Sequence, residues 1–158
     1  MLPELREVTG FRGEKMVELC LTNYKDFDAP LFRPGFLGDK WPSIDFYVEL
    51  QAVHKRKPYF FAQAKATAAG LSQSLSISVK KKDIERLLQI PGPTYIFGVH
   101  EPSGRVFVRS VHVGTPVKAI TRILLSHELT SEKLRILHDE VREFWGTDNH
   151  KPKSSAFA

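Results

Sequence analysis

The chain of 158 residues is long enough for one compact domain, and its 42% hydrophobic content suffices for a buried core. A formal charge of +5 and an isoelectric point near 9.4 permit attraction to phosphate backbones. The single cysteine, Cys20, excludes an internal disulfide and a thiolate metal cluster such as a zinc ribbon.

The opening residues from Met1 to Glu7 are charged and proline-broken where a signal peptide needs an uninterrupted apolar run. No apolar stretch reaches transmembrane length, so the expectation is a cytoplasmic protein with no membrane partner. From Phe11 to Tyr24, residues Val17, Cys20, Leu21 and Tyr24 recur at helical spacing and predict a first amphipathic helix. Pro30, Pro34, Gly35 and Gly38 then break the chain, leaving room for only a short strand.

From Ile44 to Leu50 the pattern alternates, with Ile44, Phe46, Val48 and Leu50 on one face and Asp45, Tyr47 and Glu49 on the other. His54 to Pro58 reads as a polar turn, and Tyr59 to Ala66 as the next strand. There Phe60, Ala62, Ala64 and Ala66 oppose Tyr59, Phe61, Gln63 and Lys65. Alanines on one face leave room for a closely packed helix. A short strand from Leu75 to Val79 leads into a helix bearing Ile84, Leu87 and Leu88, which Pro91-Gly92-Pro93 ends.

Strands over 94–99 and 106–111 form a hairpin through Pro102, Ser103 and Gly104. A last helix, 131–145, carries Leu134, Leu137, Val141 and Phe144 on one face. These elements describe an α/β (α+β) fold, a mixed central sheet flanked by helices, in one domain over residues 1–146. Residues 147–158 lack an apolar period and are expected to form a mobile tail.

The chemistry concentrates on the two strands around Asp45 and Gln63-Ala64-Lys65, because residues two apart in a strand share a face. With the turn centred near Lys55, antiparallel pairing places Asp45 opposite Lys65 and Tyr47 opposite Gln63. Hydrolysis of a phosphodiester with a hard cation needs oxygen ligands for Mg²⁺ or Mn²⁺ and a positive group near water and phosphate. Asp45 supplies the carboxylate, Gln63 and the Ala64 carbonyl complete the ligands, and Lys65 supplies the charge. Glu14, on the stripe of Val17 and Leu21, is an auxiliary ligand.

Pro42-Ser43-Ile44-Asp45-Phe46-Tyr47-Val48, followed by Phe61-Ala62-Gln63-Ala64-Lys65, resembles the PD-(D/E)XK nuclease signature, and Gly13-Glu14 resembles that superfamily's helical acid. The order of elements is similar to that of domains of unknown function grouped with restriction-endonuclease-like proteins, over Gly10 to Trp145. The resemblance implies an αβββαβ core and metal-dependent cleavage of DNA, or descent from it. Gln63 stands where the commoner pattern has a carboxylate, although some restriction-type relatives also carry Gln-x-Lys; a neutral ligand weakens cation binding.

The bland reading of Asp45 and Lys65 is a cross-strand ion pair, and of Glu14 a favourable acid early in a helix. Lys80-Lys81-Lys82 opens a helix whose dipole disfavours cations there, a conflict that a DNA phosphate would relieve; Lys55 and Arg56 form a second basic cluster. Two alternatives to a DNA endonuclease follow. One is an inactive nucleic-acid-binding module of the same fold. The other is a protein-interaction domain, a homodimer or part of a restriction or defence assembly, suggested by the aromatic stretch from Phe27 to Trp41.

Overall fold

The structure, a computed structural model, describes residues 2–53 and 57–158. The chain opens with helix α1 (Pro3–Leu21), which starts eight residues before the predicted helix. Pro3 tolerates the first turn because its missing N–H would have no partner there. Leu5, Val8 and Phe11 are all exposed, so this first half of the helix carries no periodic burial by which a sequence could reveal it.

Among the described residues there follow β1 (Phe32–Phe36), β2 (Phe46–Leu50), β3 (Tyr59–Thr67), β4 (Ser74–Val79), α2 (Lys81–Gln89), β5 (Thr94–His100), β6 (Arg105–Val111), β7 (Ile120–Leu124) and α3 (Ser131–Phe144). The main sheet has the order β1-β2-β3-β5-β6. The pairs β1–β2, β2–β3 and β5–β6 are antiparallel, and β3–β5 is parallel. The sheet is therefore mixed, as expected, with the segment holding β4 and α2 as its crossover. Pro34 lies on the edge strand β1, where a missing donor is tolerated.

Two apolar layers sandwich this sheet. Val17 and Leu21 of α1, Leu134, Leu137 and Val141 of α3, and the β-residues Phe46, Val48, Phe60, Ala62 and Phe97 form one. The other joins Ile84 and Leu87 of α2 to Ile96, Phe107 and the antiparallel pair β4–β7. Between Gly13 and Ala66 the expected close approach of helix to alanine face is realised.

Three expectations need correction. Ile44 is buried in the α2 layer, not beside Phe46, because the strand begins only at Phe46 and Ser43, at φ +64°, redirects the chain before it. The β2–β3 pairing aligns Phe46 with Ala62, so Asp45 comes level with Gln63 and not with Lys65. A displacement by two residues preserves which side chains share a face.

The expected mobile tail is instead a strap. Phe157 is fully buried among the α1–α3 layer, with ring contacts to Tyr95 and His127. The Phe157 and Pro152 carbonyls accept from the Ser110 and Val113 amides at 2.8 Å each, covering part of the outer edge of β6. Lys151 Nζ donates to the carbonyls of Leu87, Ile90 and Gly92 and to Thr94 Oγ1, satisfying acceptors where α2 ends. A strap held by isolated anchors has no period to read. Among the described residues, no helix is long and apolar enough to cross a membrane.

Candidate active site

Asp45 sits one residue before β2, where that strand parts from β3, and its Oδ2 accepts from the Ala64 amide at 2.7 Å. The Asp45 amide in turn donates to the Ala62 carbonyl at 2.9 Å, so the carboxylate is tied to the stretch of β3 that carries Gln63 and Lys65. Burial raises the Asp45 carboxyl above its ordinary value; the Ala64 amide and Lys65 pull it back, and Asp39 and Asp83 push it further up.

Gln63 is only 6% exposed, and its Oε1 is buried with no hydrogen-bond partner among the described residues. A buried amide oxygen without a donor costs about 1–3 kcal/mol, which a bound cation or a ligand N–H would relieve. Lys65 is half-buried, and no carboxylate among the described residues lies within 4 Å of its ammonium. The bland ion pair with Asp45 is not formed, although the charge is near enough to lower the Asp45 carboxyl.

Glu14 follows Gly13, the residue that seats α1 against Ala66, and is half-buried. Burial raises its carboxyl, and Asp45 and Asp39 raise it further. Glu14, Asp39 and Asp45 thus repel one another at one end of the sheet. Asp39 escaped sequence reading: it lies in a single 3₁₀ turn, Gly38–Lys40, inside the proline- and glycine-broken stretch, and only the fold returns that turn to Asp45. The turn is fastened by the Leu37 amide, which donates to the Asp45 carbonyl at 2.8 Å.

The start of α2 lies at the same end. Ser43 Oγ donates to Asp83 Oδ1 at 2.5 Å, and Asp83, buried in the first turn of α2, occupies the dipole-favoured position. Lys80, Lys81 and Lys82 are exposed here; Lys81 lies 3.8 Å from Glu85, and Lys80 provides the extended residue before the helix. Lys55 and Arg56 lie outside the described residues. Within Phe27 to Trp41, Phe32 is fully buried and Phe27 lies under the Arg135 guanidinium at 4.5 Å, while Phe36 and Trp41 stay exposed.

Comparison with protein-family models, curated proteins and solved structures gives no match for this chain. Asp45, Glu14, Gln63 and the Ala64 carbonyl all offer oxygen, the donor type that suits Mg²⁺ or Mn²⁺ better than a softer metal. Among the described residues, no three of His, Cys, Asp and Glu stand close enough to hold an ion by themselves. The Gln63 oxygen, without a hydrogen-bond partner among the described residues, is a further oxygen donor at this end of the sheet.

Proposed function

We propose that the chain is a PD-(D/E)XK-type, Mg²⁺- or Mn²⁺-dependent DNA endonuclease centred on Asp45, Gln63 and Lys65. One observation carries the reading: the Gln63 oxygen is buried without a partner among the described residues, on the residue that the register brings level with Asp45, whose carboxylate the Ala64 amide has already oriented. The element order supports the restriction-endonuclease-like αβββαβ core. After α1, strands β1, β2 and β3 form an antiparallel meander, and α2 then leads to β5 parallel to β3. The strand β4 and its partner β7 are additions to that scheme.

When bound, the cation supplies a Lewis acid and a water of lowered pKa at the scissile phosphate. Asp45 is fixed for this by the Ala64 amide, leaving Oδ1 for the ion. Gln63 presents Oε1, and Glu14 approaches from α1 as the second acid. Lys65, with no carboxylate among the described residues within 4 Å, orients the attacking water and offsets charge growing on the phosphate. Lys80 and Lys82 at the start of α2, with Lys55 and Arg56, supply contacts to the DNA backbone.

Purified protein should nick plasmid DNA with Mg²⁺ or Mn²⁺, and Asp45→Ala and Lys65→Ala should each abolish nicking. Cleavage that survives both changes ends the proposal. Calorimetry with Mn²⁺ separates an active centre from the second reading, a DNA-binding module without turnover. That alternative is favoured by the neutral Gln63 and by the lack of a three-carboxylate cluster among the described residues.

A further inference from the structure

Arg109 on β6 and Arg122 on β7 stand against each other away from the centre described above. The Arg109 guanidinium donates to the Arg122 carbonyl at 3.1 Å and is half-buried. No carboxylate among the described residues lies within 4 Å of either guanidinium. Burial, and next the Arg122 charge, disfavour the charged form of Arg109. A guanidinium keeps its proton regardless, so the fold holds two like charges together.

Both arginines line two adjoining hollows. One, of about 380 Å³, is completed by Lys118 and the 116–121 backbone. The other, of about 170 Å³, reaches His127. His127 is 8% exposed, its ring interacts with the Val108 backbone, and its Nδ1 is buried with no well-aligned hydrogen-bond partner among the described residues. The two arginines thus border both hollows, with Lys118 at the larger and His127 and Ala158 at the smaller, and no carboxylate among the described residues comes within 4 Å of either guanidinium.

We propose that Arg109 and Arg122 form a binding site for a tetrahedral phosphate-class anion, flanked by Lys118 and His127. Two planar forks of donors match the oxygens of a phosphate group better than a spherical halide or a single carboxylate. The anion removes the repulsion between the guanidiniums. Burial, and then Lys133 and Arg109, disfavour the His127 cation, and a bound anion would offset those two charges. A free phosphate and a phosphate of a nucleic-acid backbone share this chemistry. The site uses no residue of the Asp45 centre, so its failure would leave the nuclease reading untouched.

Thermal unfolding of the full chain in inorganic phosphate, against sodium chloride of matched ionic strength, tests the site. A saturable rise in Tm is expected with phosphate alone. In Arg122→Gln, whose side chain is exposed, phosphate affinity should fall by about tenfold or more, the loss expected for one charge-assisted contact. Arg109→Lys keeps the charge while removing the fork, so it should weaken phosphate binding with unchanged far-UV circular dichroism. A thymidine oligonucleotide that displaces phosphate identifies the backbone of a nucleic acid as the source; one that does not identifies a free anion. No saturable response in the native chain, or a response unchanged in Arg122→Gln, overturns the proposal.

Discussion

Gly13 of α1 and Ala66 of β3 approach so closely that a Cβ on the glycine would lie 2.6 Å from the Ala66 Cβ. Val99 stands 3.8 Å away on the neighbouring strand. This approach is what brings the next residue, Glu14, toward Asp45.

An exposed helical glycine normally gains up to about 1 kcal/mol on replacement by alanine. At Gly13 the sign should reverse. The added methyl meets another methyl fixed on a strand, which cannot swing aside, and overpacking of this kind costs about 1–3 kcal/mol. Urea denaturation should show Gly13→Ala destabilised and the Gly13→Ala, Ala66→Gly double variant partly restored. A single variant as stable as the native chain would mean that α1 rides farther from the sheet.

Gln63 offers a sharper contrast between a site and a merely polar interior. Gln63→Leu removes a buried oxygen that lacks a partner, so the metal-free chain should gain about 1 kcal/mol, while Mn²⁺ binding is lost. Gln63→Glu should do the opposite, tightening Mn²⁺ and weakening the metal-free fold. Calorimetric melts of the three proteins with and without Mn²⁺ read both effects. A leucine variant that is less stable and binds Mn²⁺ as before would remove Gln63 from the centre.

Burial raises both the Glu14 and Asp45 carboxyls; Asp45 and Asp39 raise Glu14 further, and Asp39 and Asp83 add to the rise at Asp45. Between their ordinary and raised values the folded chain keeps protons that the unfolded chain has released, so this pair lowers stability as pH rises through that window. A cation bound to the deprotonated pair reverses the trend. The rise in Tm produced by Mn²⁺ should therefore be small in acid and grow as the pH passes above the raised values. A pH-independent rise would place the ion elsewhere.

What the sequence revealed follows from which residues are half-buried. Phe46, Val48 and Leu50 alternate with Tyr47 and Glu49 because β2 has one face in a core and one outside, and that contrast is visible in the chain itself. Ala62, Ala64 and Ala66 announced a close helix for the same reason. Strand β7 went unread because Thr121, Arg122 and Leu124 are exposed and only Ile120 and Ile123 are buried. Asp39 depends on where a broken loop returns, and the strap depends on two anchors, Lys151 and Phe157, six residues apart. Register escaped by two positions because alternation fixes the face of a strand and not its partner.

Cys20 should be chemically silent in the folded chain. Burial, and next the Glu128 charge, push its thiol up from 9.0 to about 12, and its Sγ lies 3.8 Å from the Leu129 carbonyl. A shift of three units lowers the thiolate fraction about a thousandfold near pH 8. Iodoacetamide should label the native protein far more slowly than the protein in urea. Equal rates would show that the α1 layer opens readily around Leu129.

Lys151 makes the docking of the strap pH-dependent. Burial lowers its ammonium from 10.5 to about 7, although three carbonyls and the Thr94 hydroxyl surround Nζ. Between those two values the unfolded chain holds a proton that the folded chain has lost, so stability from this residue rises with pH, by about 1.4 kcal/mol per unit at most. Below pH 7 both states are charged and the slope vanishes. Urea melts of the native chain and Lys151→Met, from pH 7 to 10, should differ by that slope, with the variant flatter. Parallel curves would mean that the carbonyls at the end of α2 hold the ammonium charged throughout, and that the strap is fastened by an ion–dipole contact insensitive to pH in this range.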